Sequence, residues 1–236
     1  MKNWLIVSMI LLAAIIAISI SLFFYYTAPP LNSEKPLGTC QALTQNNGAN
    51  KIEITFLTNK FSKDKIKRYT DFLTDSEPFS SYKESFNFYY AGETEDCSVT
   101  ENNILFCYSK KLIKSSAVCP NDYVFVLVDK PSNIRSSSYD NVLSININHP
   151  NSVLIHEFAH AFATLADEYV PSEIPRGAKN CAKECSSFMV SDGCFQGCSK
   201  DSYYRSSEES VMRTLKTTDF KKLNTLLLKE RLEKYG

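Results

Sequence analysis

VLIHEFAHAFATLADEY, Val153 to Tyr169, decides how this chain is read. Leu154, Phe158, Ala161 and Leu165 recur at helical spacing and form an apolar stripe. Positions four apart share a helix face, so His156 and His160 project side by side. Two imidazoles so placed can bind one Zn²⁺ through nitrogen at about 2.0–2.1 Å. Glu157 sits at the edge of the same face, within reach of a metal-bound water without ligating the metal. His-Glu-x-x-His on a helix is the arrangement of a zinc-dependent hydrolase whose glutamate is the general base. The blander reading is a core helix with two hydrogen-bonded histidines. Against it, this pair takes two of the chain's three histidines and runs on into an acidic Ala-Asp-Glu-Tyr.

A catalytic zinc needs a third protein ligand and an open fourth position. Asp167, Glu168 and His149 are the candidates. On a straight helix Asp167 lies on the right face but about 10 Å beyond His160 along the axis. It can ligate only if the helix ends soon after His160 and the chain doubles back. Such turns usually use glycine, and here Ala163 and Thr164 stand there. His149 precedes a proline and is expected to be extended. Asp167 is the first choice, with Glu168 and His149 as alternates.

Around this stretch, strand and helix patterns alternate. Lys51–Leu57 (KIEITFL) alternates like a strand, and Ser62–Thr74 places Ile66, Tyr69 or Thr70, and Phe72–Leu73 on a helical face with Ser62 as N-cap. Ser85–Ala91 is aromatic and strand-like. Asp122–Asp129 (DYVFVLVD) is an unbroken apolar run, as in a buried central strand. Asn141–Ile147 alternates and is expected at a sheet edge. Cys181–Cys198 reads mostly as loop. The end carries an amphipathic helix with Phe220, Leu223, Leu226, Leu227 and Leu232 near one side. The alternation predicts an α/β domain.

The N-terminus points to a membrane. From Trp4 to Tyr26 the sequence is uncharged and long enough to cross a bilayer as a helix, with Trp4, Tyr25 and Tyr26 at its ends. A cleaved signal peptide has a shorter apolar core and a small-residue cleavage site, whereas this run exits through FFYYTAPP. Lys2 before the span puts the N-terminus in the cytoplasm and the bulk of the chain outside, as a single-pass protein of the cell membrane. The expected organisation is an anchor over 1–26, a Pro-rich extracytoplasmic spacer over 27–45 and a catalytic domain over 46–236. All eight cysteines follow the span, an even number suited to disulfides in an oxidising compartment. Lys+Arg and Asp+Glu both number 26, so the net charge is zero and no basic patch or motif suggests nucleic acid.

At this point HEFAHAFATLADEY resembles the signature of the IgA peptidase (peptidase M64) family of zinc metallopeptidases, whose members follow His-Glu-x-x-His with a Leu-Ala-Asp-Glu-Tyr-like end. Further similarities are the opening strand and helix, the segment with Pro78, Phe79, Tyr82, Phe86 and Asn87, and the cysteine-bearing stretch ending in Ser-Val-Met-Arg. The likeness runs over roughly Lys51 to Arg213. It implies a metzincin-like α/β domain with a mixed sheet and an active-site helix, and endopeptidase chemistry on protein or peptide substrates. It implies His156 and His160 as Zn²⁺ ligands, Glu157 as base acting on a zinc-bound water, and Met212 at the position of a methionine turn beneath the metal; Asp167 stays the choice for the third ligand, with Glu168 the alternate. The departure from the family is the missing glycine before Leu165. Tyr169, Tyr203 and Tyr204 are candidates to steady the oxyanion. In the quartet Cys181, Cys185, Cys194 and Cys198, two disulfides near the active site are expected over a structural zinc. Two rival readings remain: a non-catalytic binding or adhesion module on a retained scaffold, and an amidase acting on cell-wall material.

Overall fold

A computed structural model describes residues 16, 39–58, 63–92 and 96–235. The chain divides into two compact units, Met1–Leu37 and Gly38–Gly236, and the second carries all that follows. The expected span Trp4–Tyr26 lies outside the described residues apart from Ile16, as does the expected N-cap Ser62. Among the described residues no helix is long and apolar enough to cross a membrane.

A six-stranded mixed sheet organises this unit. Its strands are β1 (Gln41–Thr44), β2 (Ile52–Leu57), β3 (Phe86–Tyr90), β6 (Tyr123–Val128), β7 (Ser137–Tyr139) and β8 (Val142–Asn146), in the order β1-β3-β2-β6-β8-β7. The inner four run parallel; β1 and β7 join antiparallel at the two edges. Between β3 and β6 lie the short hairpin β4 (Ser98–Val99) and β5 (Leu105–Phe106) and the helix α2 (Lys110–Ser116). Helix α1 (Lys63–Asp75) follows β2, α3 (Ser152–Ala163) follows β8, and α4 (Lys221–Leu232) closes the chain.

The apolar run of β6 has the cause expected of it. Tyr123, Phe125 and Leu127 enter one core with α1, α3 and α4, while Val124 and Val126 enter a second core on the opposite face with Leu112 of α2. A strand covered on both faces needs apolar residues at every position. In the larger core Phe158 of α3 is fully buried, with ring centroids 5.4 Å from Phe79, 5.6 Å from Phe125 and 5.2 Å from Tyr123. Burial of such a ring contributes roughly 1.5–3 kcal/mol and fixes the helix that carries the histidines.

Two expectations need correction. Strand β8 is not at the edge: it is paired on both sides, and the edge belongs to the short, polar β7. Its apparent alternation comes from buried polar residues with partners. Ser144 accepts from the Cys107 amide, and Asn146 donates to the carbonyls of Pro131 and Ile134. The stretch assigned to the spacer contains β1, held in the sheet by its pairing with β3 and by the Cys40–Cys119 disulfide. The stretch Cys181–Cys198 is mostly loop, as expected, but not wholly so. It contributes β9 (Cys181–Ala182) and β10 (Phe195–Cys198) to a small antiparallel sheet with β11 (Lys200–Arg205).

Candidate metal centre

Helix α3 ends at Ala163, and Thr164 takes the left-handed conformation, φ 55° and ψ 35°. Its amide donates to the Ala159 and His160 carbonyls, which closes the helix end. A β-branched residue rarely adopts this conformation, and glycine would do so freely. The chain therefore reverses without the glycine that the bend was expected to need.

The reversal brings Asp167 back to the helix. Its Oδ1 stands 3.2 Å from Nε2 of His156 and 3.2 Å from Nε2 of His160, and the two Nε2 atoms are 3.1 Å apart. Each imidazole is oriented from behind. Nδ1 of His156 donates to the Val211 carbonyl at 2.9 Å, and Nδ1 of His160 donates to the Leu165 carbonyl at 2.6 Å. Donation from Nδ1 leaves Nε2 as a bare lone pair. Three acceptor atoms thus converge, and among the described residues the buried Oδ1 has no hydrogen-bond donor of its own.

Such a cluster of lone pairs calls for a cation at its centre. Three vertices of a tetrahedron around zinc at about 2.0–2.1 Å stand about 3.3 Å apart, close to the spacing here. The same centre draws positive charge, which a proton on His160 supplies when no metal is bound. Burial works against charge on His160, yet the Asp167 carboxylate prevails and pushes its pKa up to about 9. Burial likewise opposes charge on Asp167, but the two imidazoles hold its carboxyl well below the usual carboxylate range. The donor set fits zinc.

The other candidate ligands point elsewhere. Glu168 is fully buried and accepts from Ser210 Oγ at 2.5 Å, Asn224 Nδ2 at 2.9 Å and Asn180 Nδ2 at 3.2 Å. His149 bonds the Ser132 carbonyl and Ser136 Oγ. Met212 is fully buried in the main core, and its neighbour Val211 supplies the carbonyl that orients His156. Glu168 donates its amide to the Met212 carbonyl at 2.8 Å, which ties the reversed segment to this turn.

A cleft of about 1240 Å³ opens over the triad. Glu157 lines it beside His156 and His160, and burial pushes its carboxyl up from the ordinary value. Tyr169 lines it as well; Tyr203 and Tyr204 do not. Burial, and then the nearby Asp167 carboxylate, raise the Tyr169 phenol above its ordinary range, so it remains a donor. The role of Ser172, whose Oγ donates to Asp167 Oδ2 at 2.7 Å, carried no signal in the sequence.

A buried three-donor centre beneath an open cleft, with a carboxyl beside it, can hold a zinc ion and present a base to a water on it. Residues 90–191 match the family model of IgA Peptidase M64, and the chain resembles that family over this region. The match is narrower than Lys51–Arg213; it takes in His156 to Tyr169 and stops before Met212. Among solved structures the chain is similar to archaemetzincin from Methanopyrus kandleri, at 14% identity and a TM-score of 0.40, covering 78% of this chain and 97% of that one. No curated protein sequence matches the chain. The family match supports a zinc peptidase, and zinc is the cofactor that family and donor set imply.

Proposed function

We propose that this protein is a membrane-anchored, extracytoplasmic zinc endopeptidase of the His-Glu-x-x-His type, metzincin-like in its site. The observation that carries the reading is the convergence of Asp167 Oδ1 with both Nε2 atoms at 3.1–3.2 Å under an open cleft. His156, His160 and Asp167 hold the metal. Zinc, when bound, supplies Lewis-acid polarisation of the scissile carbonyl and acidifies a water. Glu157, its carboxyl pushed up from the ordinary value by burial, takes the water's proton and delivers it to the leaving amine. Tyr169 donates its hydroxyl toward the oxygen on which charge develops.

The uncharged run Trp4–Tyr26 supports an anchor, and Lys2 supports a cytoplasmic N-terminus. Four disulfides, Cys40–Cys119, Cys97–Cys107, Cys181–Cys198 and Cys185–Cys194, support an oxidising compartment outside. The rival reading as a binding module rested on the missing glycine, and Thr164 now occupies the conformation that glycine would have taken. Elemental analysis and a peptide-library screen on the full chain test the proposal. One zinc per chain with peptide cleavage supports it. Absence of zinc, or zinc with cleavage only of envelope amides, overturns it.

A further inference from the structure

Asp167 sits on a turn that has left the helix, so something else must hold it at the histidines. The residues flanking one disulfide do so. Cys181 and Cys198 are bonded and buried, and with Ala166 they form a small cluster directly behind Asp167. Their sulfurs lie 3.7 and 3.9 Å from the Asp167 carbonyl oxygen. Asn180, just before Cys181, is fully buried and clamps Ala166 twice. Its Oδ1 accepts from the Ala166 amide and its Nδ2 donates to the Ala166 carbonyl, both at 2.8 Å. The same Nδ2 reaches Glu168 Oε1 at 3.2 Å. Ser199, just after Cys198, donates its hydroxyl to the Asp167 carbonyl at 2.7 Å. Its carbonyl also accepts from the amide of Ser172, the residue whose hydroxyl bonds Asp167 Oδ2.

The contacts to Ala166 and to the Asp167 carbonyl thus trace back to the two ends of the Cys181–Cys198 bridge, while Glu168 is held separately through Met212, Ser210 and Asn224. Cys185–Cys194 lies at the exposed tip of the same loop, away from these contacts. We propose that the Cys181–Cys198 disulfide and Asn180 form a positioning clamp that sets Asp167 against the histidines and so tunes metal affinity. The proposal rests on Asp167 being the third zinc ligand. Groups that orient a ligand from behind typically contribute 10- to 100-fold to metal affinity.

The test is zinc affinity, measured on the purified full chain by competition with a chelator, together with the melting temperature of the zinc-free protein. The variants are Cys181→Ala/Cys198→Ala, Asn180→Ala, Cys185→Ala/Cys194→Ala and Asp167→Ala. The clamp predicts a tenfold or greater rise in zinc Kd for the first two, with no change for Cys185→Ala/Cys194→Ala. If the buried-bridge variant fails to fold, Asn180→Ala gives the same reading. A fall in melting temperature with unchanged Kd in Asn180→Ala and the buried-bridge variant overturns the proposal and leaves a purely structural bridge. An equal loss of affinity in Cys185→Ala/Cys194→Ala also overturns it. Failure of the underlying reading is distinct: wild type then binds no zinc, or Asp167→Ala binds it as tightly as wild type.

Discussion

Asp167 Oδ1 meets His160 Nε2 at 3.2 Å, although the helix that carries His160 has already ended at Ala163. Three lone-pair donors packed this closely repel one another unless a cation sits between them. His160→Ala and Asp167→Ala should each reduce bound zinc from one per chain to a small fraction, read by elemental analysis. Removal of zinc from the wild type with a strong chelator should lower its melting temperature, because binding to the folded state alone stabilises it. Wild-type zinc content in both variants would place the metal elsewhere.

Glu157 is buried beside the triad without being part of it. Glu157→Gln keeps the shape and removes the base. Zinc content should be unchanged, while kcat for peptide hydrolysis falls by about 10²-fold or more. A variant that cleaves at the wild-type rate would remove Glu157 from the mechanism.

Tyr169 faces the cleft as a phenol held protonated by burial and by its acidic neighbour. Tyr169→Phe should lower kcat by about 10²-fold, with KM and zinc affinity little changed, if the hydroxyl serves only the developing charge. A rise in KM alone would reassign it to ground-state binding.

Thr164 pays for the bend in strain. Left-handed backbone costs a residue with a Cβ about 1–2 kcal/mol, and glycine loses about 0.5–1 kcal/mol through its greater freedom when unfolded. Thr164→Gly should therefore raise stability by up to about 1 kcal/mol without loss of zinc. Denaturant melts decide it; a clear destabilisation would mean the Thr164 side chain is needed.

Glu168 joins the reversed segment to Ser210, two residues before the buried Met212, and to Asn224 of α4. Glu168→Ala leaves buried donors without an acceptor, at about 1–3 kcal/mol each, and should destabilise by about 3 kcal/mol. Burial pushes this carboxyl up from its ordinary value. The folded state then retains a proton that the unfolded chain releases, so stability falls as pH rises from the ordinary carboxylate range through the raised value. Urea melts across that range should show the decline in wild type and a flatter profile in Glu168→Gln. Equal slopes would locate the pH dependence in another group.

Local pattern made several elements legible. The unbroken run of β6 marked a strand buried on both faces, and Ile66, Tyr69, Thr70 and Leu73 mark the buried face of α1 as their spacing requires. The edge of the sheet was not legible. Ser137, Ser138 and Tyr139 carry no apolar signal for β7, and the buried Ser144 and Asn146 of β8 mimic a solvent-facing alternation. Burial with a hydrogen-bond partner looks the same as exposure in a sequence.

The sequence by itself determined the helix, the pair His156 and His160 on one of its faces, and Glu157 beside them, because a 3.6-residue period is a local property. The even count of eight cysteines pointed to disulfides as well. Only the tertiary structure decided that Asp167, rather than Glu168 or His149, meets the histidines. That choice depends on a left-handed Thr164, on the Val211 carbonyl behind His156 and on the Asn180 clamp, contacts between segments that are distant in the chain. It alone decided which cysteine bridge lies under Asp167, since partners across a fold are chosen by packing and leave no periodic trace.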